Sequence, residues 1–239
     1  MLASKNGYKA IFFDLDGTLR HTVPLGADVY RKKVAELGMP ISDEKNLEVS
    51  KWEHYYWASS PDLREDFKKF AGDDDAFYKN YALTRLAKMG ATPEQAERFC
   101  LDIFKYFREE HTPENHVPPE LFEILPNLRS DGYKLAVLSN RREAFDDILK
   151  ELNLFEFFDG VMAAGDLGSW KPDPKVFTPL LDKLELSPKE TLYIGDNYFA
   201  DVVGARNAGL APLLYDPRGI FPEADCARMT SFTELGKFL

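Results

Sequence analysis

The sequence predicts an α/β protein whose doubly wound parallel sheet is assembled from the two ends of the chain around an all-helical insert. Three observations lead there. The short apolar runs KAIFFD, YKLAVLSN, FDGVMAAGD, TLYIGD and LAPLLYD are each followed by a loop or helix-like segment. Runs that are apolar without a break are what strands covered on both faces look like, and their alternation with helices marks βαβ units. Between about residues 24 and 115 only helical patterning is found. Finally, Pro24, Pro113, Pro118 and Pro119 punctuate the two places where the chain would leave and re-enter the sheet.

Taken in order, the first strand is AIFF, ending at Asp14. The insert follows, as GADVYRKKVAELG, DEKNLEVSKWEHYYWA, DAFYKNYALTRLAKMG and TPEQAERFCLDIFKYFREEH. The last segment has Thr92 placed to cap it, Glu94 and Gln95 in its first turn, and Ala96, Phe99, Cys100, Ile103 and Phe107 at the spacing of one buried face. In the acidic GDDDAF, one of Asp73, Asp74 and Asp75 is the expected cap of its helix. The helix-like segments PELFEILPNLRSDG, RREAFDDILKELNL, DPKVFTPLLDKLEL and YFADVVGARNAGL then separate the remaining strands. The expected domains are a core of residues 1–19 and 119–239 and an insert of residues 20–118, hinged near 20–24 and 112–119.

Composition bounds the setting. A chain of 239 residues, 44% hydrophobic, can bury one sizeable core plus a smaller domain. Cys100 and Cys226 are the only cysteines, so a disulfide framework is not expected. A net charge of −10 argues against nucleic acid and anionic lipid as partners. The opening segment MLASKNGYK lacks a secretory apolar run, and no later run is long enough to span a membrane. The expectation is a soluble cytoplasmic protein, monomer or homodimer.

In an open parallel sheet, ligands bind beyond the carboxyl ends of the strands. Chemically active side chains collect at those exits here. Asp14 and Asp16 follow the first strand, Ser139 and Asn140 the second, and Gly195 and Asp196 the fourth, while Lys171 follows the third in GDLGSWKPDP. Turns favour Asp, Ser, Asn and Gly for backbone reasons alone. Turn chemistry does not call for the lysine, nor for an aspartate continuing an apolar run.

The motifs DLDGT, LSN, KPDP and GDNYFAD, in that order and strand context, resemble the four motifs of the haloacid dehalogenase superfamily of phosphohydrolases. The helical insert between the first two is similar to the α-helical cap of that superfamily's phosphoglycolate-phosphatase-like branch. The resemblance covers the sheet domain on both sides of the insert. It implies a Rossmann-like core and a cap that closes during the reaction. The implied activity is Mg²⁺-dependent hydrolysis of a small phosphorylated metabolite through an aspartyl-phosphate.

Residue chemistry supports the same assignment. Converging carboxylates repel unless a cation joins them, and Mg²⁺ prefers hard oxygen ligands. Asp14 and Asp196 could hold it, with the backbone carbonyl of Asp16 added by implication from the family. Asp14 can attack phosphorus. Asp16 would lie on the same side by the period-two alternation of a strand and serve as the acid/base, as in the family. Lys171, Ser139 and backbone N–H groups would stabilise the transferring phosphoryl group, with Asn140 beside them. Gly17 and Thr18 shape the turn, with the Thr18 hydroxyl offered to the site, and Gly195 lets the backbone approach the metal region. Asp201 is implied to orient the metal shell or bond Lys171; a plain helix-start carboxylate is its other reading. Arg20 and His21 could touch a leaving group, or His21 could be a solvated hinge residue. Arg141 and Arg142 could bind a second anionic group or be solvated.

An acid at position 16 disfavours dehalogenation, because halide needs no proton. A phosphonatase would need a distinctive cap lysine, and Lys32, Lys33, Lys51, Lys68 and Lys69 have no such context. A phosphomutase shares the aspartyl-phosphate and stays open. A different class, a phospho-accepting receiver-like signalling module, also groups Asp, Ser and Lys at strand ends but needs no large insert after its first strand. The aromatic run WEHYYWA reads as core ahead of ligand platform.

Overall fold

The computed structural model describes residues 6–239; the start of the MLASKNGYK segment lies outside the described residues. By its internal packing the chain divides into two compact units. One runs to His21 and resumes over His116–Leu239, and the other is Thr22–Asn115.

The first unit is built on a wholly parallel sheet. Its strands are β1 (Ala10–Phe13), β4 (Lys134–Ser139), β5 (Gly160–Ala163), β6 (Thr191–Gly195), β7 (Ala211–Tyr215) and β8 (Ala227–Met229), in the order β5-β4-β1-β6-β7-β8. β1 lies between β4 and β6, with Phe13 paired to Val137 on one side and Ile194 on the other. The chain steps outward from β1 through β4 to β5, then returns to β6 on the far side. The strand order therefore reverses at β1, which makes its carboxyl end the crevice where ligands bind in such sheets.

Both faces of the sheet are covered, which is why the strands read as unbroken apolar runs. Ile11, Phe13, Leu135, Val137, Leu192 and Ile194 face one core cluster, which includes Leu121, Leu125 and Leu128 of α6 (Leu121–Ser130) and Leu149 of α7 (Asp146–Glu151). Phe12, Ala136, Leu138 and Tyr193 face the other. That second cluster holds Leu180 and Leu181 of α9 (Thr178–Lys183) and Ala205 of α10 (Val203–Asn207), while α8 (Ala164–Leu167) caps β5.

The second unit contains α1 (Gly26–Glu36), α2 (Asp43–Trp57), α3 (Pro61–Lys69), α4 (Asp74–Met89) and α5 (Pro93–Glu109). Tyr30, Val34, Val49, Leu86, Met89, Ala96, Phe99, Cys100 and Ile103 form its main core. The aromatic run divides as helical periodicity requires: Tyr56 and partly buried Trp52 pack with Leu63 and Phe77, whereas Tyr55 and Trp57 are exposed. Asp73 is the α4 cap, accepting from the Ala76 amide at 3.0 Å. Three elements here had no sequence signal: α3, and the strands β2 (His21–Val23) and β3 (Glu114–His116), which pair at the ends of the insert. Among the described residues no helix is long and apolar enough to cross a membrane.

Candidate active site

Asp14 is the first residue past β1. Its amide donates to Ile194 O at 2.8 Å, so the ladder with β6 continues beyond the strand and fixes the carboxyl at the edge of the sheet. Lys171 reaches the same point from the loop after β5. Its Nζ donates to Asp14 Oδ1 at 2.7 Å, Asp201 Oδ1 at 2.6 Å and the Tyr193 hydroxyl at 2.8 Å. The lysine is 2% exposed, and Asp14 and Asp201 are buried with it. Asn140 clips this loop in place: its Oδ1 accepts from the Lys171 amide at 2.7 Å and its Nδ2 donates to the Lys171 carbonyl at 3.0 Å.

Asp201 lies in a π-helical turn, Tyr198–Val202, ahead of α10. The Asn197 amide donates to its Oδ2 at 2.9 Å, leaving Oδ1 for Lys171. One carboxylate oxygen from each of Asp14, Asp196 and Asp201 lies within 4.8 Å of the other two. Two glycines make this convergence possible. Gly17 has φ +89°, and a Cβ there would collide with the Asp196 carboxylate; a Cβ at Gly195 would collide with Asp201.

Burial pushes the Asp14 carboxyl up to about 7, opposed by the Lys171 charge and reinforced by Asp201. Burial, then the charges of Asp14 and Asp201, holds Asp196 well above the usual carboxylate range. Burial alone would lower the Lys171 ammonium, yet Asp14 and Asp201 outweigh it and hold the group well above its ordinary value. The ammonium is thus charged and the carboxylates are crowded, a donor set that suits a small hard divalent cation.

The other expected residues are distributed as follows. Ser139 ends β4, buried, and Thr18 is fully buried with its Oγ1 lacking a hydrogen-bond partner among the described residues. Asp16 departs from expectation. Alternation ends at Phe13, and residues 14–20 form a turn in which the Gly17 amide donates to Arg20 O at 2.8 Å. The Asp16 carboxylate is therefore outside the cluster of three; Arg141 Nε donates to its Oδ2 at 2.7 Å and Arg20 Nη1 to its Oδ1 at 2.6 Å. Burial works against the ionised form, but the Arg141 hydrogen bond and charge, followed by those of Arg20, hold Asp16 below its ordinary value. Half-buried His21 packs tilted against Tyr215, at 5.9 Å between ring centroids.

One contributor to the site went unrecognised in the sequence. The Tyr193 hydroxyl donates to Leu138 O at 2.9 Å while accepting from Lys171, orienting the ammonium from the second cluster's side. The signal was an interior tyrosine in TLYIGD, whose hydroxyl needs a buried partner. Asp216, at the exit of β7, accepts from the amides of Ile220 and Phe221 at 2.7 and 3.0 Å and so orders the next loop.

A family model described as haloacid dehalogenase-like hydrolase matches residues 8–209. Among similar proteins, the glyceraldehyde 3-phosphate phosphatase of Pyrococcus furiosus is 29% identical, covering 84% of this chain and 78% of that protein. Pyrophosphatase PpaX of Bacillus mycoides is 30% identical, over 83% of this chain and 79% of its own. The crystal structure of a 2-haloacid dehalogenase from Pseudomonas syringae pv. Tomato DC3000 aligns with a TM-score of 0.54 and 26% identity, covering 96% of this chain and 97% of that one. The chain belongs to the haloacid dehalogenase-like hydrolases and is a phosphoric monoester hydrolase of that family.

Proposed function

We propose that the protein is a Mg²⁺-dependent phosphatase that hydrolyses a small phosphorylated metabolite through an aspartyl-phosphate on Asp14. The observation that carries this is the buried Lys171 ammonium held between Asp14 and Asp201, with Asp196 within reach of both. Asp14, Asp196 and the carbonyl of Asp16 would hold Mg²⁺, with Asp201 supporting them. Bound there, the ion would offset the crowded carboxylates and polarise a phosphoryl oxygen.

Lys171 occupies Asp14 Oδ1 and so leaves Oδ2 as the attacking oxygen. As the Asp14–phosphorus bond forms and the ester P–O bond breaks, Asp16, once released from Arg20 and Arg141 and protonated from solvent, gives that proton to the departing alkoxide. The same carboxylate then takes a proton from water, whose oxygen attacks phosphorus and frees Asp14 and inorganic phosphate. Ser139, the Thr18 hydroxyl and backbone N–H groups near Gly17 would hold the phosphoryl oxygens, and Asn140 keeps Lys171 in position. The helical insert, in the role of a cap, would select the substrate.

The similarity to a solved dehalogenase does not extend to this proposal, because an acid at position 16 has no task when the leaving group is halide. The names of the two similar phosphatases, one acting on glyceraldehyde 3-phosphate and the other on pyrophosphate, support a compact phosphate substrate. Hydrolysis of p-nitrophenyl phosphate with Mg²⁺ tests the reading. Asp14→Asn is expected to lower kcat by about a thousandfold or more, with phosphate release as the readout. Undiminished turnover by that variant would remove Asp14 as nucleophile.

A further inference from the structure

Both oxygens of Asp16 are taken up by guanidinium groups. Arg141 Nε and Nη2 donate to Oδ2 and Oδ1 at 2.7 and 2.9 Å, and Arg20 Nη1 adds a bond to Oδ1 at 2.6 Å. The Arg141 contact joins residues 125 positions apart, and Arg141 directly follows Ser139 and Asn140 at the exit of β4. The side chains of Asp16, Arg20 and Arg141 are 38%, 21% and 30% exposed, so a ligand can reach them.

This pairing conflicts with the duty assigned to Asp16. A carboxylate that accepts three guanidinium N–H bonds is turned to the arginines and held there, not presented to a leaving-group oxygen. For Asp16 to act, it must leave the guanidinium fork, and an anionic group that takes its place there restores the lost ion pair. A planar fork of N–H donors matches a carboxylate or phosphoryl oxyanion bidentately and matches a neutral hydroxyl poorly. The replacement would also lie next to the leaving group, since that is where Asp16 delivers its proton.

We propose that Arg20 and Arg141 form the binding site for a second anionic group on the substrate, a carboxylate or another phosphoryl group on its alcohol portion. In the state described, the Asp16 carboxylate occupies that site. A substrate with an anionic tail exchanges one ion pair for another and releases the acid. A neutral-tailed ester has to break the pair without replacing it. The proposal rests on the phosphatase reading above and specifies its substrate class.

The test is calorimetric binding to the full chain carrying Asp14→Asn, with Mg²⁺, so that no ligand turns over. Glycerol 3-phosphate supplies the neutral tail, 3-phosphoglycerate the carboxylate and glycerol 1,3-bisphosphate the second phosphoryl group; inorganic phosphate reports the phosphate site by itself. At least one anionic-tailed ligand is expected to bind about tenfold or more tightly than glycerol 3-phosphate. Arg141→Gln should bring that ratio close to one, Arg20→Gln should lower it, and Arg141→Lys, which keeps the charge and loses the fork, should fall between. Equal binding of all three esters, or a preference that survives both glutamine variants, overturns the proposal while leaving the phosphatase reading intact. Failure to bind inorganic phosphate or any ester removes both.

Discussion

At the residue scale, Lys171 is the side chain on which the site turns. Its ammonium is buried between two carboxylates, and the energetics of such groups are asymmetric. A buried pair with good geometry adds little net stability over an apolar replacement, but removing one partner leaves the others as uncompensated buried charge. Lys171→Met would strand Asp14 and Asp201 and also deprive the Tyr193 hydroxyl of its donor. Chemical denaturation should then show a loss of about 3–5 kcal/mol. Turnover should fall by a factor of about 10²–10³, the usual cost of removing one preorganised donor. Wild-type stability in that variant would mean the triad carries no structural load. Lys171 and Asp14 were legible because turn chemistry calls neither for a lysine nor for an aspartate that directly continues an apolar run. The partners of Asp16 were not, because residues 16 and 141 meet only after β1 and β4 have paired.

At the element scale, local chemistry explains the helices well. α5 begins with a full capping box: Thr92 Oγ1 accepts from the Gln95 amide at 3.3 Å and Gln95 Oε1 accepts from the Thr92 amide at 2.9 Å. Its buried face is the expected Ala96, Phe99, Cys100 and Ile103, with Phe107 partly buried. Thr92→Ala should cost about 1 kcal/mol, seen as a lower denaturation midpoint with unchanged denaturant slope. No change would mean the box is not formed in solution. α3 shows where local reading stops. Ser60 caps it through the Leu63 amide at 3.1 Å and Pro61 occupies its first position, but it buries only Leu63, too little apolar periodicity to register. β8 is three residues with two exposed, a strand only because β7 lies beside it.

At the scale of the whole molecule, the site's charge couples folding to pH. In the metal-free protein, Asp14 is raised from 3.8 to about 7, chiefly by burial, so the folded state holds a proton that the unfolded chain has released. The stability this brings is complete below 3.8 and is lost as pH rises through about 7; Asp196, also raised, acts in the same direction. Asp16, lowered, works oppositely: its contribution is present above 3.8 and is lost on acidification. The melting temperature of the metal-free protein should therefore fall between about pH 5 and about pH 8, and Mg²⁺ at the higher pH should raise it. A flat profile that Mg²⁺ does not move would count against a cation site at these carboxylates.

The sequence alone determined the parallel α/β core, the helical insert and the strand exits bearing Asp14, Ser139, Lys171 and Asp196. Those properties follow from unbroken apolar runs, helical periodicity and residues placed where a strand must stop. Only the tertiary structure decided which carboxylates meet. It joined Asp201 to Asp14 and Asp196, drew Tyr193 in beneath Lys171, and turned Asp16 toward Arg20 and Arg141. The reason is distance along the chain: these contacts depend on strand order and on how far a strand extends before it turns, and neither is encoded within one segment.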